Sequence, residues 1–386
     1  MSDQCMLLPA PADRLDTATV ALPGPYDVAA APAARSDAER FTFRLLFDTL
    51  IRLDCQGRAR PALAESWTRS ADGRTWTFRL RPGRTGLDRK PLDAYALADW
   101  WMADSARVVR SHLGGVALMS AAGPQTLLVR LITPTDSVPL VLADPAFAAG
   151  RAPPRHSVLA LSQMLFDPRD AIALGADVIL TDDRDAIAAA ARADSFASLP
   201  LPWSRTVALV LPVPDSSVVG RIDTPGFREA LVRDVVHVEA KSVERSGWGR
   251  LTCSAEPGAG AAQPRAGASR VVYALGDRTA GDIAARIAAL GLLGARGSVV
   301  PLAPQELAAS LRGGRERAYV LSLPAVSLVP CADRPIWPAG ARVVPLVDTR
   351  YQVILSPRAP ALTVDWDGAL RLAEPAADSV QTLRER

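Results

Sequence analysis

Between residues 270 and 323 the chain switches repeatedly between two apolar periods, and this pattern limits the fold more than any other feature. Residues 270–275, 298–302 and 318–323 are short runs rich in β-branched and apolar side chains, which read as strands. Residues 280–290 and 304–311 instead place apolar side chains three and four apart, the spacing of one helix face. Neighbouring strands joined through a helix run parallel, because only a long crossover returns the chain to the same end of the sheet. The segment therefore predicts a β-α-β-α-β lobe of an α/β protein.

At 386 residues the chain is longer than one hydrophobic core usually serves, so two lobes are expected. With 49% apolar and 22% charged residues it is too apolar for a disordered chain. The formal charge is +3, and lysine occurs only at Lys90 and Lys241. Arginines are spread along the chain, with no dense basic run and no interleaved aromatic platform, so nucleic acid is not an expected partner. The longest apolar runs, residues 45–51 and 207–213, fall well short of the roughly 20 residues a membrane helix needs. Met1 to Pro11 shows no basic segment followed by an apolar one, so no signal peptide is predicted, and Cys5 follows Asp3 and Gln4 rather than a lipobox. Cysteines 5, 55, 253 and 331 form no CxxC pair and lie near no histidine at ligand spacing, so no metal is expected. Two readings of them stand: Cys253 pairs with Cys331 in an oxidising compartment, or all four are buried free thiols.

Residues 1–35, broken by Pro9, Pro11, Pro23, Pro25 and Pro32, read as an extended leader. Phe43, Leu46, Phe47, Leu50 and Ile51 then define one face of a helix that Ser36 or Asp37 would cap. A tight turn at residues 71–74 leads into an alternating strand, 75–80, with Trp76, Phe78 and Leu80 on one face. Further helices are expected at 92–111, 139–143, 182–193 and 227–243, and strands at 126–131, 176–180, 206–211, 343–346 and 351–355. Proline-rich residues 145–170 and residues 254–269 read as loops.

Catalytic chemistry needs convergent groups, and the sequence offers none. His112, His156 and His237 lie far apart, and no nucleophile-elbow, phosphate-loop or zinc-protease pattern is present, so neither an enzyme nor a bound cofactor is expected. Asp182, Asp183 and Asp185 suit the first turn of a helix better than a metal. Trp67, Trp76 and Trp101 fall on periodic apolar faces and read as core. Trp203, Trp248 and Trp337 stand in Pro- or Gly-flanked segments where a ring can line a cleft, and Arg205 beside Trp203 can pair with an acid. Tyr26 completes the aromatic candidates for ligand contact.

Several blocks in order resemble the family 5 extracellular solute-binding proteins, which serve ABC importers of oligopeptides, dipeptides and nickel complexes. The run Leu46-Phe47-Asp48-Thr49-Leu50-Ile51, then Pro61-Ala62-Leu63-Ala64-Glu65-Ser66-Trp67, is similar to the family's P-x-L-A-x-S-W signature, and Asp72 to Gly83 to its following hairpin. Gly175-Ala176-Asp177-Val178, Arg228-Glu229-Ala230-Leu231 and Val343-Val344-Pro345-Leu346 resemble later blocks. The resemblance implies a two-lobed periplasmic-binding-protein-like α/β fold (type II, cluster C-like), with mixed sheets, an inter-lobe cleft and a reduced small subdomain. It implies a leader at 1–35, lobe I at 36–255, lobe II at 256–345, and a C-terminal segment, 346–386, returning toward lobe I. The implied function is non-catalytic capture of a small, peptide-like solute by hinge closure, outside the cytoplasmic membrane, as a monomer delivering to ABC permease subunits. Export would then place the true start upstream of Met1, the other reading being a copy that has lost export. The family's acid for a peptide amino group has no counterpart near Leu321 to Ala325, and Asp333 is the substitute. That departure leaves a second implied role, a degenerate binding fold serving as a sensor or interaction module.

Overall fold

The structure, a computed structural model, describes residues 6–7, 17–24, 26–27, 31, 34, 37–86, 89–103, 116–136, 138–144, 147–151, 158–163, 168–193, 195–203, 205–213, 215–222, 224–236, 239–243, 270–293, 297–324 and 340–372. The chain forms two compact units: unit 1 is Met1–Ile179, Ser195–Ala197 and Leu355–Arg386, and unit 2 is Leu180–Asp194 and Ser198–Ile354.

Unit 1 begins with β1 (Met6–Leu7), β2 (Thr17–Leu22), α1 (Asp37–Leu46), β3 (Phe47–Asp48), β4 (Ile51–Leu53) and β5 (Ala59–Pro61). It continues with β6 (Ala64–Arg69), β7 (Thr75–Leu80), α2 (Ala94–Met102), β8 (Val116–Gly123), β9 (Thr126–Leu131) and α3 (Val138–Val141). Then follow β10 (Gly150–Arg151), β11 (Val158–Gln163), α4 (Pro168–Ala173) and β12 (Val178–Thr181). Strands β6-β7-β9-β8 make an antiparallel sheet whose first hairpin turns at Gly73, with φ of 69°. A positive φ there is the backbone state glycine adopts without steric cost. Strand β2 lies between β11 and β12 and runs parallel to both.

Unit 2 holds α5 (Arg184–Arg192), β13 (Ala197–Pro200), β14 (Arg205–Leu211), α6 (Ser216–Ile222), α7 (Pro225–Val232) and β15 (Glu239–Lys241). After these come β16 (Arg270–Ala274), α8 (Arg278–Ala289), β17 (Ser298–Leu302), α9 (Pro304–Arg312), β18 (Ala318–Pro324), β19 (Arg342–Arg350) and β20 (Gln352–Leu355). The hairpin β21 (Leu362–Val364) and β22 (Leu370–Leu372) returns to unit 1. Strands β12, β13 and β20 each contain a position where the chain passes from one unit to the other.

The six-stranded sheet of unit 2 runs β15-β19-β14-β18-β16-β17 and is mixed. Strands β16, β17 and β18 are parallel, as the alternating segment predicts, while β14 pairs antiparallel with both β18 and β19. Both faces are covered, which explains the unbroken apolar run of β14. Val207, Leu209 and Leu211 join Ile283 and Ile287 of α8 on one side, while Ala208 and Val210 join Leu311 of α9 and Tyr319 on the other. Successive residues of a strand point to opposite faces, so a strand covered on both sides carries no polar alternation.

Three expectations fail for tertiary reasons. The helix over residues 43–51 stops at Leu46, because Phe47 and Asp48 pair with β10 and Asp48 receives the Arg371 guanidinium at 3.1 Å. The helix over 227–243 ends at Val232: Asp234 takes a φ of 64°, and Arg286 donates to the carbonyls of Ala230, Leu231 and Arg233, closing the helix end. Part of the segment read as a loop at 145–170 is β11, whose six residues pair in register with β2. The helix over 92–111 spans Ala94–Met102, and residues 104–115 lie outside the described ones. Trp76 and Trp101 are buried as expected, but Trp67 on edge strand β6 is only half-buried.

Candidate functional site

One end of unit 2's sheet gathers polar and aromatic side chains, and a β-bulge sets their direction. In β19, Pro345 faces Ala208 and Val347 faces Val207, so Leu346 is the extra residue. Proline has no N–H to give a ladder, and a bulge is where strands tolerate it. Leu346 and Val347 both enter the same core, which shows the strand shifting by one place. Beyond it, β15 sets Lys241 opposite Asp348 and Glu239 opposite Arg350. Directly opposed residues share a sheet face, so these four side chains emerge together.

Trp203 lies over this face. The Arg350 guanidinium carbon is 4.4 Å from the indole centroid and the Lys241 Nζ is 5.2 Å from it. Both are cation-π distances. Arg350 Nε and Nη2 donate to Glu239 Oε2, Gln352 Nε2 donates to Glu239 Oε1 at 2.8 Å, and Ser198 Oγ donates to Gln352 Oε1 at 2.6 Å. Asp348 accepts from Thr206 Oγ1 at 2.6 Å. The group is half-exposed, with the Arg350 side chain at 24% and Glu239 at 37%. It can hold a planar polar group against an indole.

The sequence candidates divide. Trp203 is at the centre of this group. Arg205 lies opposite Thr349, out of step with Arg350 and so on the other face of the strand, with its guanidinium 5.4 Å from the Tyr351 ring centroid. Tyr26 is a half-buried residue of unit 1. Trp248, Asp333 and Trp337 lie outside the described residues, as do His112, His156, His237, Cys253 and Cys331. Sequence reading missed Glu239, Lys241 and Arg350. The signal was the charge alternation of Glu239-Ala240-Lys241, hidden by reading that stretch as helix.

Cys55 is disulfide-bonded, which overturns the reading of four free thiols. Among the described residues no three His, Cys, Asp or Glu side chains are placed to hold a metal ion. Asp183, the centre of the acidic run, caps α5 by accepting from the N–H groups of Asp185 and Ala186 at 2.8 and 3.1 Å. Asp183→Ala should cost about 1 kcal/mol of unit 2 stability, read as a lower urea midpoint with an unchanged slope.

A second polar concentration lies inside unit 1. Arg44 of α1 donates to Asp365 and, at 2.5 Å, to Asp367, while Arg371 reaches Asp48 at 3.1 Å and Asp365 at 3.4 Å. All five side chains are buried. Three of them, Arg44, Asp365 and Arg371, border a cavity of about 20 Å³ lined also by Phe43, Phe47 and Trp366, room for one or two waters.

No family model matches the chain. Its overall backbone does match solved structures. The binding protein AgaA from A. tumefaciens R10, in complex with agropinic acid, superposes with a TM-score of 0.67 over 94% of this chain and 100% of that one, at 13% identity. This chain has the fold of the periplasmic solute-binding proteins. The same fold is seen in NikA from Brucella suis with Fe(III)-EDTA, with a TM-score of 0.64, 92% of this chain and 100% of that chain covered, and 13% identity. DppA from Helicobacter pylori in complex with the peptide STSA gives 0.64 over 93% and 98%, at 12% identity. Among curated proteins, the nickel-binding periplasmic protein of Escherichia coli K12 is 33% identical over 87 residues, covering 22% of this chain and 16% of the relative. A probable peptide ABC transporter periplasmic-binding protein of Sinorhizobium fredii is 33% identical over 104 residues, covering 25% of this chain and 19% of the relative. The matched segments thus span less than a fifth of either curated relative.

Proposed function

We propose that this chain captures a small, peptide-like solute for an ABC importer by hinge closure, outside the cytoplasmic membrane and without breaking a bond in it. The observation that carries the proposal is the end-to-end backbone agreement with solute-binding proteins in complex with their ligands. The chain crosses between its units in β12, β13 and β20, and a few residues at such crossings can absorb the dihedral changes of a hinge. A disulfide at Cys55 agrees with an oxidising compartment. The delivery partners would be permease subunits, and the chain would work as a monomer.

Capture requires that the solute bind the folded protein and not the unfolded chain. At a concentration 100 times the Kd, this adds about 2.7 kcal/mol. A thermal-shift screen of short peptides, amino acids, opine-like acids and nickel–histidine should therefore find a solute that raises Tm by about 5 °C. A flat response across all these classes would overturn the proposal.

A further inference from the structure

We infer that Arg350 and Trp203 form the docking point for a carboxylate of the captured solute, which makes the solute class acidic; the inference rests on the capture reading above. Arg350 is held on two sides. Its Nε and Nη2 are taken by Glu239, and its guanidinium carbon lies 4.4 Å from the Trp203 ring centroid. Glu239 is itself fixed by Gln352, and Gln352 by Ser198. This leaves Nη1 of Arg350, and the indole Nε1 of Trp203, with no hydrogen-bond partner among the described residues.

An arginine clamped along one edge presents its remaining N–H groups in a fixed direction, and a planar oxyanion is the group that matches them. The clamp lowers the ordering cost of binding, because the long side chain is already in place. Charge decides which oxyanion fits. Arg350 and Lys241 share the face with Glu239 and Asp348, so the charges of the described residues balance there. A balanced face tolerates one added negative charge beside two cations and disfavours the nearly doubly charged phosphate. A neutral carbonyl would forgo the charge assistance that makes such hydrogen bonds roughly twice as strong. Ser198 and Gln352 lie within three residues of crossings between the units, so the site's support is continuous with the segments a hinge would move.

The test uses the full chain and matched pairs of probes: Ala-Ala and its C-terminal amide, glutamate and glutamine, and inorganic phosphate, with isothermal titration as the readout. The free acids should bind about 10- to 100-fold tighter than the amides, with phosphate weaker than the acids. Arg350→Gln should remove most of that preference while leaving the amides within about threefold, and Trp203→Phe, which keeps an aromatic face and deletes the N–H, should weaken the acids more than the amides. Acids and amides binding equally, phosphate outcompeting the acids, or Arg350→Gln weakening both members of a pair alike would overturn carboxylate docking and leave solute capture standing. A flat response to these probes and to the wider solute screen would remove the capture reading, and this inference with it.

Discussion

Arg44→Met should lower the stability of unit 1 by about 3–5 kcal/mol, the range measured when one partner of a buried ion pair is removed. Arg44 is 5% exposed and serves two carboxylates, Asp365 and Asp367, each 8% exposed. Without the guanidinium, Arg371 still reaches Asp365, but among the described residues Asp367 keeps just the Ala369 N–H at 3.2 Å and the more distant Arg40 at 3.9 Å. The cost is that of stranding a carboxylate away from water, not the value of the pair itself. Changing all three residues to Met, Asn and Asn should therefore recover most of the loss, which a simple loss of packing would not. Hydrogen exchange can localise the effect: protection should fall in α1 and the β21–β22 hairpin, while α8 and β16 of unit 2 keep theirs.

The same network sets the acid behaviour of unit 1. Burial opposes the charge of Asp367, but the fields of Arg44 and Arg40, the Ala369 N–H and the Arg44 hydrogen bond outweigh it and hold its carboxyl below the usual range. A carboxylate with a lowered folded pKa adds stability that is complete above its unfolded value, near 4, and is lost as the pH falls through the lowered one. Burial also opposes the Arg44 charge, yet Asp367 and Asp365 raise its pKa, so Arg44 stays charged throughout that window. The Asp367 contribution to unit 1 should therefore be lost below about pH 4, and Asp367→Asn should remove that part of the acid limb.

How much of this was legible depends on where the forces act. The β-α-β-α-β segment of unit 2 was readable because its helices and strands are set by local periods: β17 runs over 298–302 and α9 over 304–312, within a residue of expectation. The hairpin after the turn at Gly73 was equally plain, since its turn and alternation are local. What stayed hidden depends on partners far along the chain. Strand β11 sits among prolines and is a strand because β2, some 140 residues earlier, offers it a ladder. The Arg350 face depends on a bulge at Leu346 and on β15 pairing with residues more than 100 positions later, neither of which leaves a periodic trace. Trp203, a Pro-flanked ring with no periodic apolar face to join, lies against Arg350 and Lys241. Arg205 shows its limit: adjacency in sequence put it on the opposite side of the strand.

Trp101 separates size from polarity in unit 1's core. It is fully buried on α2, beside Leu97 and Ala98, with its ring edge-on to the equally buried Phe147 at 5.9 Å and 89°. Trp101→Ala should cost about 3–5 kcal/mol, the usual range for emptying so large a buried site. Trp101→Phe should be far milder, and the reason is specific to this site. The indole Nε1 is buried with no hydrogen-bond partner among the described residues, and an unmet buried donor costs about 1–3 kcal/mol. Phenylalanine removes that burden while keeping most of the ring contact with Phe147, so its loss of volume is partly offset. Chemical denaturation of both variants should place Trp101→Phe within about 1.5 kcal/mol of the parent and Trp101→Ala well below it. If the two variants fell equally far, the N–H would be met by an internal water, and its hydrogen bond rather than the ring would be what this position supplies.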